Sequence, residues 1–216
     1  YYPSGINSGQ RDKSFMMYPK VALLGGFSGD EDAVTDRDWD ANLTILSGNI
    51  GDPADDSDNI KNVVIASSPD IGKRVDRTAV LDGLMIEKGY GPGGGALIID
   101  GASPTVRNIV FRNNTSTSNG GAIYIDRVVE NNTHDPEPIF ELCRFIGNTA
   151  VSGGGAVYVE TSAEVTFVQC VFEQNEVSSG NGGAVRFTHE AFGGSRQIDF
   201  LSCSFVGNQA SGQAGA

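Results

Sequence analysis

Three carboxylates stand at matching places in the second half of the sequence. Asp100, Asp126 and Glu160 each lie four residues past the alanine of a Gly-Gly-Ala phrase, and Thr188 holds the fourth such place. Glycoside cleavage uses a pair of acids, one to protonate the leaving oxygen and one to attack or to activate water, flanking the scissile bond. A polysaccharide lyase instead combines calcium with a base that abstracts a proton. Asp126 and Glu160 are the candidate catalytic residues on this reading. The competing reading is that solvent-facing strand ends carry acids as a matter of course, and a fold alone licenses no activity.

A second set of acids could hold a metal. Between Asp30 and Asp58 the sequence places ten acids against one base, Arg37. Asp30, Asp32, Asp52 and Asp55 are hard oxygen donors in loops, which suits calcium and makes it the one cofactor the sequence suggests. Their spacing is not that of an EF-hand, and a solvated acidic loop is the alternative. Cys143, Cys170 and Cys203 are odd in number and lack metal-ligand spacing, so they read as buried reduced thiols. Neither His134 nor His189 falls near them in the repeat frame, so no thiolate–base pair is indicated.

What must position these groups is a repeat. Gly-Gly-Ala followed by Leu, Ile or Val occurs at 94–97, 120–123, 154–157 and 182–185. A Phe-x-x-Asn phrase ends each of four units, at Phe111…Asn114, Phe145…Asn148, Phe172…Asn175 and Phe205…Asn208, with Asn-to-Asn steps of 34, 27 and 33 residues. Two residues before each Phe stand Ile109, Cys143, Cys170 and Cys203; three before those stand Val106, Phe140, Phe167 and Phe200. The stretches between are short, β-branched and aromatic, and are bounded by Gly, Asn and Ser, so they predict strands and turns. Units of this length, made only of short strands, predict a parallel β-helix in which like residues stack about 4.8 Å apart. The Cys and Phe positions then form inward ladders. The Asn closes a turn by tolerating left-handed backbone and hydrogen-bonds its counterparts above and below. Insertions at 126–138 and 188–197 break the frame and would form loops on one edge, where solenoids often carry binding surfaces; tolerated surface insertion is the alternative.

Composition narrows the class. Of 216 residues, 39% are hydrophobic and 29 are glycine, and net charge is −12. An acidic chain is repelled by phosphate backbones, which argues against nucleic acid as a partner. No apolar run is long enough for a membrane span.

The GGA-[ILV] and F-x-x-N pair resembles the repeat of the chlamydial polymorphic outer membrane proteins. The opening YYPSG…VALLGGFSGDE…DRDWDANLTILSGNIGD at 1–52, followed by TAVLDGLMIEKG at 78–89, resembles the secreted bacterial right-handed parallel β-helix repeat proteins of the choice-of-anchor type. The resemblance implies a right-handed β-helix, export, and display at the cell surface; it brings no established activity, its members being described mostly as adhesins or surface passengers. The expectation is therefore an all-β solenoid of one domain, irregular over 1–78 and regular over 79–216, read as a fragment without its terminal caps. Its function would be that of an extracellular stalk or adhesin, with cell-surface glycan, protein or copies of itself as partners. The alternative is a carbohydrate-active β-helix enzyme.

Overall fold

Short strands separated by one or two turn residues cannot each bury an apolar face alone, and stacking successive turns of the chain solves that problem. The computed structural model of the chain describes residues 10–68, 74–126, 135–160, 163–188 and 197–212. Their strands lie in four sheets, parallel throughout, wound as a right-handed parallel β-helix. The first sheet stacks Phe15–Met16, Val64–Ser67, Leu97–Asp100, Ile123–Asp126, Val157–Val159 and Val185–Phe187. The second stacks Ala22–Leu24, Val80–Asp82, Thr105–Arg107, Ile139–Glu141, Glu164–Val168 and Gln197–Leu201. The third runs from Ile45–Ser47 through Met85–Glu87, Val110–Arg112, Arg144–Ile146 and Val171–Glu173 to Ser204–Val206. The fourth, of five strands, starts at Tyr90–Gly93 and ends at Gln209–Ala210. No α-helix occurs among the described residues, only two single-turn 3₁₀ segments at Val34–Asp36 and Asp56–Asp58.

Register is one-to-one along the axis in the first three sheets, while the fourth shifts between Ser116 and Asn119. Leu46, Ile86, Phe111, Phe145, Phe172 and Phe205 are successive partners in the third sheet. In the second, Leu23, Leu81, Val106, Phe140, Phe167 and Phe200 do the same. Rings within a column stack face to face at 4.6–5.2 Å, and rings of the two columns meet edge to face, as Phe167 and Phe172 do at 5.4 Å. This alternation suits the ring quadrupoles, which favour offset stacks and T-shaped pairs. Phe111, Phe140, Phe145, Phe167 and Phe172 are fully buried, whereas Phe200 and Phe205, on the last described coil, are more than a third exposed.

The turns depart from expectation in two places. The left-handed residue is not the ladder Asn but the one before it: Asn113, Gly147, Gln174 and Gly207 have φ of 52–62°. The Asn itself is then free to turn its amide inward. Likewise Cys143 and Cys170 lie between strands, each directly after a left-handed residue, Leu142 or Gln169. A two-residue corner with one left-handed position reverses the chain sharply while still aiming the second side chain into the core. In the glycine pairs the two members do different work. Gly120 has φ +65°, and a Cβ on Gly121 would fall 2.1 Å from the Gly155 carbonyl oxygen of the next coil. Ala96, Ala122, Ala156 and Ala184 follow in fully buried corners.

Candidate functional site

Each strand of the first sheet sends alternate residues outward, so its face carries two columns. One is Ile65, Ile98, Tyr124, Tyr158 and Arg186, in register through five coils. The Tyr124 and Tyr158 rings stack at 5.7 Å and 7°, and the Arg186 guanidinium lies 5.8 Å from the Tyr158 ring centre, a cation–π arrangement. Arg186 also donates to the Ser152 carbonyl at 2.8 Å, and the Thr188 hydroxyl bonds the Tyr158 hydroxyl at 3.1 Å. The second column runs beside it: Ser67, Asp100 and Asp126 are direct partners, and Ser67 donates to Asp100 at 3.1 Å. Glu160 follows the next strand, its N–H bonded to the Ile125 carbonyl at 3.0 Å.

Asp126 and Glu160 are thus on successive coils of one face. Their strands are parallel neighbours in the first sheet. Most of the two inserted loops, residues 127–134 and 189–196 with His134 and His189, lies outside the described residues.

The acidic stretch folds as two surface loops whose carboxylates mostly cap backbone N–H groups. Glu31 accepts from the Ser28 and Gly29 amides, and the Ser28 bonds hold its carboxyl down at about 2. Asp52 Oδ1 accepts from Ala54 N–H at 2.9 Å and Asp55 Oδ1 from Ser57 N–H at 2.8 Å. The structure does not gather Asp30, Asp32, Asp52 and Asp55 into one cluster. Among the described residues no three His, Cys, Asp or Glu side chains are grouped to hold a metal ion.

One charged centre was not anticipated from the sequence. Asp82 is fully buried, yet it accepts from Arg107 Nε at 2.7 Å and Asn108 Nδ2 at 2.8 Å, and it pairs with Arg37. Burial pushes this carboxyl up, but the bonds from Asn108, Arg107 and Arg37 outweigh it and hold the group below the ordinary aspartate range. Arg37, the one base of the acidic stretch, also donates to the Gly25 carbonyl at 3.1 Å and lies 5.1 Å from the Trp39 ring centre. It clamps the 26–44 excursion onto the coils.

The three thiols are free. Each bonds a carbonyl on the neighbouring coil: Cys143 that of Val106 at 3.5 Å, Cys170 that of Phe140 at 3.5 Å, and Cys203 that of Phe167 at 3.4 Å. Burial pushes the Cys143 thiol well above its usual range, so it stays protonated.

With this geometry in place, comparison with known proteins becomes informative. Residues 108–126 and 143–160 match the Chlamydia polymorphic membrane protein repeat. Both segments begin in the left-handed corner before the third sheet, pass through the Phe-x-x-Asn turn, and end on the outward acid of the first sheet, Asp126 or Glu160. The repeat thus spans the third, fourth and first sheets of a coil and omits the second, and it points to a bacterial outer-membrane or surface protein. No curated protein and no solved structure matches the chain.

Proposed function

We propose that the chain is an exported β-helical rod of a bacterial cell surface, a stalk or adhesin that holds loops and one sheet face out to glycan or protein partners. The observation that carries this reading is the repeat itself: its two matched copies coincide with coils whose inward columns and corners are wholly spent on stacking. Between the two copies the outward positions that differ most are Val110 against Arg144 and Arg112 against Ile146. Protease shaving of intact producing cells, with mass spectrometry of the released peptides, tests it. Peptides from 10–212 should be released without lysis; their appearance only after lysis would refute surface display.

Self-association belongs to the same reading: parallel sheets built coil on coil can be continued by a second copy with unchanged polarity, and such head-to-tail contacts build open rods. Sedimentation should show concentration-dependent oligomers; a monomer at every concentration would refute the stacking.

A further inference from the structure

We propose that the loop spanning residues 48–60 binds one hard divalent cation of the calcium class through Asp58 Oδ1 and Asn59 Oδ1. The loop is closed at its base by the Ile60 N–H bonding the Gly48 carbonyl at 2.8 Å. Inside it, backbone donors are already committed. Asp52 N–H bonds Asp58 Oδ2 at 2.8 Å, Asp55 N–H bonds the Asp52 carbonyl at 2.9 Å, and Asn59 N–H bonds the Asp56 carbonyl at 3.2 Å. Asn59 is fully buried, and its Nδ2 donates to Asp56 Oδ1 at 3.1 Å. That bond fixes which end of the amide is oxygen and sets the amide head against the acidic loop.

Two side-chain oxygens of consecutive residues then remain buried without any protein donor, Asp58 Oδ1 and Asn59 Oδ1. Both are acceptors only, and the large majority of buried side-chain polar atoms in folded proteins have a hydrogen-bond partner or a ligand. A carboxylate oxygen and an amide oxygen, with carbonyls and water to complete the shell, are hard ligands that suit calcium. The local charge agrees. Asp52, Asp55, Asp56 and Asp58 lie in the loop, while the facing bases are Lys88, 3.1 Å from Asp56 Oδ1, and Arg11, whose Nε bonds the Asn59 carbonyl at 2.7 Å. Four negative charges against two leave the loop attractive to a cation. The position is held tightly, because a Cβ on Gly51 would fall 1.9 Å from Asp58 Oδ2.

The test is calorimetric titration of the whole chain with calcium chloride, paired with thermal melts in calcium and in EDTA. Saturable heat is expected by the millimolar range, with a melting temperature that calcium raises and EDTA lowers. Asp58→Asn should weaken binding at least tenfold, whereas Asp30→Asn should leave it unchanged. Should Asp58→Asn fail to fold, manganese added to the unaltered chain should broaden the amide resonances of 51–59 selectively. Absence of heat and of any melting shift would overturn the site and leave a water on the two oxygens. Equal response of the Asp58→Asn and unaltered chains, or broadening centred on 28–32, would overturn it as well.

Discussion

Replacing Asn148 with leucine tests whether the buried amide ladder, and not only the phenylalanine stack, holds the coils together. Asn148 Oδ1 accepts from Asn114 N–H at 3.1 Å and from Asn114 Nδ2 at 3.0 Å. Its own Nδ2 donates to the Phe111 carbonyl and to Asn175 Oδ1, both at 3.0 Å. Leucine fills similar space and removes all four bonds. Asn114 Nδ2 keeps the Ile86 carbonyl and Asn175 Oδ1 keeps the Asn148 N–H, but the buried Asn114 N–H loses its acceptor. One buried orphan donor costs about 1–3 kcal/mol and each of the three other lost bonds about 1 kcal/mol net, giving about 4–6 kcal/mol in all. For a chain of this length that corresponds to a melting shift of about 8–24 °C.

Asn208 supplies the internal control. It accepts from Asn175 at 3.0 and 2.9 Å and donates to the Phe172 carbonyl at 2.9 Å, but it is only half-buried. Water can replace what Asn208→Leu removes, so its cost should be about 1–2 kcal/mol. Urea unfolding with residue-resolved hydrogen exchange separates the two, because a solenoid opens coil by coil. Equal costs for the two variants, or less than about 1 kcal/mol for Asn148→Leu, would refute the ladder's role.

Phe172→Ala removes a ring held between Phe145 at 4.6 Å and Phe205 at 4.7 Å, so about 3–5 kcal/mol should be lost in urea unfolding, and clearly less for the more exposed Phe205. Native thiol titration should modify half-exposed Cys203 well before Cys143, and equal rates would contradict their burial. Asp82 has a carboxyl held below its unfolded value, so its contribution is present above about pH 4 and is lost as pH falls through the folded value. Stability curves of the unaltered chain and Asp82→Asn should therefore differ at neutral pH and converge in acid; parallel curves would refute the assignment.

The regular coils were legible because their signals are local and repeated: Phe-x-x-Asn fixes a corner, Gly-Gly-Ala fixes another, and every copy votes for the same register. The first coils were less legible because the same positions hold different residues. In Gly83-Leu84-Met85-Ile86-Glu87-Lys88-Gly89, Leu84 sits where Cys143 does, Ile86 partners Phe111, and the Gly89 N–H bonds Asn114 Oδ1 as the first rung of the ladder. A pattern written in apolarity and size, with Gly in place of Asn, is invisible to a search for identity. The Asp82 cluster was hidden for another reason. Arg37 and Asp82 are 45 residues apart, and only the winding of the chain brings them together.

The division between inward and outward residues also says where function must be sought. Along the third sheet the inward column reads Leu, Ile, Phe, Phe, Phe, Phe, and the amide ladder beside it tolerates one residue type in four successive coils. The outward column of the first sheet reads Ile, Ile, Tyr, Tyr, Arg over the same height. Stacking geometry constrains the first set, because a changed inward residue leaves a cavity or an orphan bond in two neighbouring coils at once. It constrains the second set less, although Tyr158 is itself buried between Tyr124 and Arg186. A recognition surface can therefore be composed on the outward face, one side chain per coil at the strand spacing of about 4.8 Å, without disturbing the rod. Tyr124, Tyr158 and Arg186, flanked by Asp100, Asp126 and Glu160, form the one such surface among the described residues where aromatic, basic and acidic groups meet on a single sheet. Tyr124→Ala and Arg186→Ala are accordingly the substitutions that should change ligand capture on a glycan array while the chain stays folded, with a modest fall in urea midpoint for the lost Tyr158 packing and, for Arg186, the lost Ser152 bond. Loss of the fold in both, or unchanged capture in both, would place recognition elsewhere on the coil.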